Sequence, residues 1–247
     1  MDAMNTRSSL RLLLALAFAL ALCARPAPLC AGEAGKEPCA VSPSVAGRVS
    51  SVAPDQAGAI LARLSLACDE GFPLAPFEGK LAEGLAKGVA PAIIIRTLDV
   101  KLDAFRHAAA MLRDCGLQPA PEVLAVLGEA VFGGVPAKTL HAYVCGYAGR
   151  EPGPFLWGLE MAVLLSRAGF DDGLTRQMLD AGFATGGLTP DWRYFVRVVL
   201  VARQRGLTDQ AVAEAACAVL RGGGAPSDVS ASLGFTDRDL SGRELGK

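Results

Sequence analysis

The chain has only two histidines among 247 residues, with three tyrosines and two tryptophans, so it is poor in the side chains that most often carry catalysis or stack on bases. It contains no HExxH pair, no G-x-S-x-G elbow, no P-loop and no G-x-G-x-x-G run. Motif-bearing metalloproteases, α/β-hydrolases, P-loop NTPases and dinucleotide binders are thereby excluded. Cysteines spaced as C-x-x-C are lacking, as is a D-x-[DN]-x-[DN]-G loop, so zinc-knuckle, dithiol-redox and EF-hand readings have no support. The formal net charge is −1, which gives no electrostatic footprint for nucleic acid. No window alternates with the period of a strand, and VVLV at 198–201 falls inside a helical period. The composition implies no cofactor.

Glycine and proline are plentiful, 28 and 15 residues, and their placement is ordered. Gly71, Gly116, Gly169 and Gly206 are each followed, 17 or 18 residues on, by a glycine that opens a Gly-apolar-(x)-Pro stop. These second glycines are Gly88, Gly134, Gly187 and Gly224. Glycine just past a helix takes the left-handed conformation that closes the last turn, and proline at the first helical position has its φ preset. The spacing predicts an all-α fold of antiparallel helical hairpins in about four degenerate repeats, solenoid-like or bundled, with seven or eight helices.

Residues 1–31 read as a signal peptide. Arg7 and Arg11 precede the apolar run Leu12–Leu22, and small residues follow up to Ala31-Gly32. The run is shorter than the roughly 20 residues a membrane span requires. The expectation is therefore export to the periplasm or beyond, with no stable membrane insertion after cleavage. Losing Arg7, Arg11, Arg25 and Asp2 leaves a net charge of −3. Residues 32–54 are small, polar and proline-bearing and read as a flexible linker, residues 55–234 as the helical domain, and residues 235–247 as a frayed tail.

Within the domain, Pro91–Asp114 is the clearest amphipathic helix. Ile94, Leu98, Leu102, Phe105 and Ala109 share one face, with Arg96, Asp99, Lys101 and Asp103 assigned to the other. Pro121–Phe132 and Pro136–Tyr147 follow as antiparallel partners. Phe155–Arg167 is apolar nearly all round and reads as central, and Pro190–Arg205 and Thr208–Arg221 close the series. Both tryptophans, Trp157 and Trp192, fall on apolar stripes.

Five of the seven cysteines lie beyond residue 31, an odd number that leaves at least one thiol unpaired. If the first and third helices of the 91–147 hairpins run the same way, Cys115 and Cys145 meet at one end of the stack and form a candidate disulfide. Cys39 lies within reach of Cys68. The alternative is that these are small buried apolar side chains. His107, one turn after Asp103, and His141, between Leu140 and Tyr143, read as local surface or packing residues. The acidic pairs Asp69-Glu70, Asp171-Asp172 and Asp237/Asp239 sit at helix boundaries, where they favour N-termini or solvate turns.

On Pro190–Arg205, Trp192, Phe195, Val196, Val199 and Leu200 are assigned to the core. Arg193 and Arg197, one turn apart on the other face, are the candidate contact for an acidic partner. The stretch EGLAKGVAP (Glu83–Pro91), with GEAVFGGVP and AGFATGGLTP as looser counterparts, resembles a short repeat of uncharacterised secreted bacterial helical-hairpin proteins. The resemblance concerns punctuation and implies no site residue. The sequence therefore leads to an exported, non-enzymatic interaction or scaffold protein of the bacterial envelope with a protein partner. The alternatives are an envelope hydrolase with scattered residues, or a small-ligand or lipid carrier.

Overall fold

In a computed structural model of the chain, residues 39–235 are described. The signal-peptide segment and Asp237/Asp239 lie outside them. Among the described residues the fold is all-α, with eleven helices and no strand. They are α1 (Pro43–Val52), α2 (Ala57–Asp69), α3 (Ala75–Ala86), α4 (Pro91–Asp114), α5 (Pro121–Phe132) and α6 (Ala137–Gly146). After these come α7 (Pro152–Arg167), α8 (Asp172–Thr185), α9 (Phe195–Gln204), α10 (Asp209–Arg221) and α11 (Pro226–Ser232). Short 3₁₀ turns cover Pro54–Gln56 and Pro190–Tyr194. Adjacent helices pack antiparallel, and helices two apart also meet, as α2 does α4, α5 does α7 and α8 does α10. None of these helices is long and apolar enough to cross a membrane.

Most of the helices are closed by the same local device; α1 and α6, which end at Ala53 and Tyr147, are not. After α4, the N–H of Gly116 donates to the carbonyl of Arg113 and that of Leu117 to the carbonyl of Leu112. Gly116 has φ +75°, and Leu117 packs on the core. This is the Schellman arrangement, in which a left-handed residue satisfies carbonyls that the helix leaves open. The same pair of bonds recurs at Gly71-Phe72, Gly88-Val89, Gly134-Val135, Gly169-Phe170, Gly206-Leu207 and Gly234-Phe235. In two cases the left-handed glycine stands one residue before the one the spacing singled out: Gly186 instead of Gly187, and Gly223 instead of Gly224. There the chain packs too closely for a side chain. A Cβ on Gly187 would meet the Leu220 carbonyl oxygen at 2.7 Å, and one on Gly224 would meet the Val219 side chain at 2.8 Å.

The structure departs from the sequence reading at several places. Eleven helices replace the expected seven or eight, and the first lies within the segment read as a flexible linker. PSVAGRVSSV is poor in strong helix formers, yet Val49 is fully buried, and the Ser42 N–H donates to Glu78 on α3 at 3.3 Å. Burial and a long-range anchor therefore override weak propensity. At the other end, Phe235, assigned to the frayed tail, is buried, and the Arg205 guanidinium lies over its ring at 4.9 Å. Lys101, assigned to the solvent face of α4, is 2% exposed. The helix is covered by α2, α3, α5 and α6, so its buried arc is wider than a single stripe. Pro190–Arg205 is not one helix but a 3₁₀ turn followed by α9. The tighter turn advances the phase, so Val198 and Ala202 enter the core while Leu200 is 47% exposed.

Two disulfides tie the segment from Cys39 to Cys145. Cys39 bonds to Cys68 at the end of α2, with Cα atoms 5.6 Å apart, and Cys115 at the C-cap of α4 bonds to Cys145 on α6, with Cα atoms 4.9 Å apart. Cys217 on α10 is a buried free thiol whose pKa is pushed up by desolvation.

Candidate functional site

Two places bring polar and aromatic side chains together at the surface. The first is the turn into α9. Trp192 is fully buried and tilts against Phe195 with ring centroids 5.5 Å apart, which pins the 3₁₀ turn to the core. Packing the two rings inward turns Tyr194 outward, to 43% exposure. The Arg193 and Arg197 guanidiniums both lie against the Tyr194 ring, at 4.8 and 5.1 Å from its centroid. Two guanidiniums approach one aromatic ring, each attracted by the ring quadrupole. Arg193 also approaches Glu160 of α7, with its Nη1 3.9 Å from Oε2. The Arg193 Nε and Glu160 Oε2 atoms are nevertheless buried without a hydrogen-bond partner.

Beside Arg193 a groove of about 340 Å³ runs between α5 and α7, floored by Val126, Val163 and Leu164. Arg167 borders it and donates to the Glu129 carbonyl at 2.8 Å. The structure thus brings Arg193 and Arg197 together around a tyrosine that sequence reasoning did not single out. Arg203, further along the same helix, is committed elsewhere. It donates to the carbonyls of Ala168 and Gly169 and to Asp209, and so clamps the end of α7 to the start of α10.

The second place is the end of the α4–α6 pair. His141 and Cys145 lie one turn apart on α6, with His141 Nε2 3.6 Å from Cys145 Sγ, and both residues are exposed. A shallow groove of about 410 Å³ opens beside them, lined by His107, Met111, Asp114, Lys138 and His141. Both histidines of the chain therefore face one surface depression. Asp103 does not serve His107 as a local acceptor in this arrangement. Its carboxylate accepts from Arg106 at 2.8 Å, and Arg106 also donates to Glu70. The signal for this site was the H-x-x-x-C spacing, which places imidazole and thiol on one helical face.

The other acidic pairs serve structure. Asp171 caps α8 by accepting from the Leu174 N–H, Asp172 accepts from Thr139, and Glu70 is held below the ordinary carboxylate pKa by its hydrogen bond from Arg106. Tyr143 donates to the Phe155 carbonyl at 2.6 Å and Tyr147 to Asp180 at 2.7 Å. Burial raises the pKa of both phenols, and the space beside them is only about 50 Å³. Such fixed, donating phenols brace α6 against α7 and α8. Comparison with protein-family models, curated proteins and solved structures finds no match to this chain.

Proposed function

We propose that the chain is an exported, non-enzymatic interaction protein of the bacterial envelope. Its helical hairpins form a stack of about four degenerate units, and it engages an acidic protein partner through Arg193, Tyr194 and Arg197. The single observation that carries the contact surface is the outward Tyr194 ring with two guanidiniums against it, held rigidly by the buried Trp192 and Phe195. Tyrosine and arginine are the residues most enriched at interface hot spots, and a ring pinned from behind loses little entropy on binding. The exposed Leu200 and the apolar groove beside Arg193 extend the same surface.

The stack reading is supported by the recurrent glycine closures and by packing between helices one or two apart in the chain. Two disulfides support an oxidising destination, in keeping with the apolar N-terminal run.

The test is a photo-crosslinking amino acid placed at Tyr194, with a second at the exposed Gln210 as control, in cells that make the protein natively. The expected result is one dominant adduct from Tyr194, with an acidic protein, that disappears in the Arg193→Glu/Arg197→Glu double variant. The same adducts from both positions, or an adduct insensitive to charge reversal, would overturn the assignment.

A further inference from the structure

We propose that Cys115, Cys145 and His141 form a dithiol–imidazole site that, once its disulfide is reduced, holds one thiophilic closed-shell cation, Zn²⁺ or Cu⁺. The inference is independent of the Arg193–Tyr194–Arg197 contact surface and stands or falls separately from it.

The two sulfurs and one imidazole nitrogen lie within 4.8 Å of one another. Among the described residues this is the one group of three thiol, imidazole or carboxylate ligands close enough to share an ion. With metal–sulfur bonds near 2.3 Å and metal–nitrogen bonds near 2.0–2.1 Å, tetrahedral ligands stand about 3.6 Å (S to N) and about 3.8 Å (S to S) apart. His141 Nε2 and Cys145 Sγ already stand at 3.6 Å. The two sulfurs, now bonded to each other, have to part, and Cys115 has to settle within reach of His141. The backbone already supplies the frame, because His141 and Cys145 project from successive turns of α6 and Cys115 is fixed at the closed end of α4. Two soft thiolates and one imidazole select thiophilic d¹⁰ ions over hard cations. A groove lined by His141 and by Asp114, the neighbour of Cys115, lies beside the group. The charged and titratable groups around that groove are His107, Asp114 and Lys138. Among the described residues, no third ligand of this kind joins the other disulfide, Cys39–Cys68.

The chemistry balances with a dithiol as reductant. One reductant thiolate attacks a sulfur of the disulfide, and the other cysteine leaves as thiolate. The second reductant thiol then resolves the mixed disulfide, so the protein gains two electrons and the reductant becomes a disulfide. The cation takes both sulfurs as thiolates and the nitrogen lone pair of neutral His141, and the two thiol protons pass to solvent. Oxidation and metal loading are therefore mutually exclusive states of the same three side chains.

The experiment uses the full mature protein, oxidised or reduced with a dithiol and desalted without oxygen. Zn²⁺ is titrated against a chromogenic zinc chelator and Cu⁺, in a separate arm, against bicinchoninate. The expected result is one equivalent bound by the reduced protein and none by the oxidised protein, with a rise in Tm of the reduced form only. His141→Ala, at an exposed position, is expected to weaken binding at least tenfold with unchanged far-ultraviolet circular dichroism. The Cys115→Ser/Cys145→Ser variant, which keeps Cys39 and Cys68, is expected to bind none. Uptake in either arm supports the site, and the arm that responds identifies the ion. Absence of uptake by the reduced protein, loss of its helical signal on reduction, or equal affinity in His141→Ala would each overturn the proposal. So would stoichiometric uptake by the double serine variant.

Discussion

Lys101 carries a charge into the interior of α4, where its ammonium donates to the Glu129 carboxylate of α5 and lies 4.9 Å from the Phe132 ring centroid and 5.7 Å from that of Phe77. The lysine is buried, whereas 40% of the Glu129 side chain is exposed, so the two ends of the pair are not equivalent. Removing the cation leaves a carboxylate that water can solvate, whereas removing the anion leaves an ammonium that water cannot reach. Lys101→Met is therefore expected to change unfolding free energy by less than about 1 kcal/mol, and Glu129→Gln to cost about 2 kcal/mol or more. Urea titration of the two variants checks this, and equal losses would refute the asymmetry. Sequence periodicity placed Lys101 with the charged face, because a helix wheel has no knowledge of how many neighbours will cover it. Gly128 was equally silent. It reads as a propensity cost in mid-helix, yet a Cβ there would lie 2.6 Å from the Phe105 ring, so the missing side chain is what lets α5 sit against α4.

At the scale of elements, the boundaries of α4, α5 and α10 were legible because glycine, proline and a capping hydroxyl act through local backbone geometry. Pro91 and Pro121 open their helices and Thr208 caps α10 by accepting from the Ala211 N–H. What was not legible depended on distant partners, such as α1, held by the burial of Val49, and the 3₁₀ turn before α9, held by Trp192. Cross-element ion pairs belong to this class. Arg106 joins α4 to Glu70, just past α2, and Arg203 joins α9 to Asp209 of α10. Glu83 accepts from Lys87 and Lys80, which hold its pKa down to about 2, and hydrogen bonds from Arg106 and Arg203 lower Glu70 and Asp209 in the same direction. All three folded pKa values are depressed, so their stabilisation is complete above the ordinary carboxylate value of about 4–4.5 and is lost as pH falls from there towards about 2. Tm is thus expected to be nearly flat from about pH 5 to 8 and to decline below about pH 4.5. The decline should be shallower in Asp209→Asn, and a Tm that holds constant down to about pH 2.5 would contradict the assignment.

On the scale of the whole molecule, both disulfides lie between Cys39 and Cys145 and span 29 and 30 residues, while helices α7 to α11 carry none. Closing a loop of about 30 residues restricts the unfolded chain by roughly 3–4 kcal/mol in the chain-entropy account. Because adjacent helices and some helices two apart pack together, that loss is expected to stay local. Reduction is expected to accelerate amide exchange over residues 43–69 and 115–146 while leaving 172–221 within about threefold of its oxidised rate. Uniform acceleration along the chain would indicate a single cooperative unit instead. The fifth thiol completes the picture. Cys217 faces the interior of α10, so once that helix has docked the odd sulfur is withdrawn from exchange with the other four. Isomers that mispair Cys217 can then arise only before docking, which makes the order of helix assembly decide whether the odd sulfur is captured in a wrong bridge.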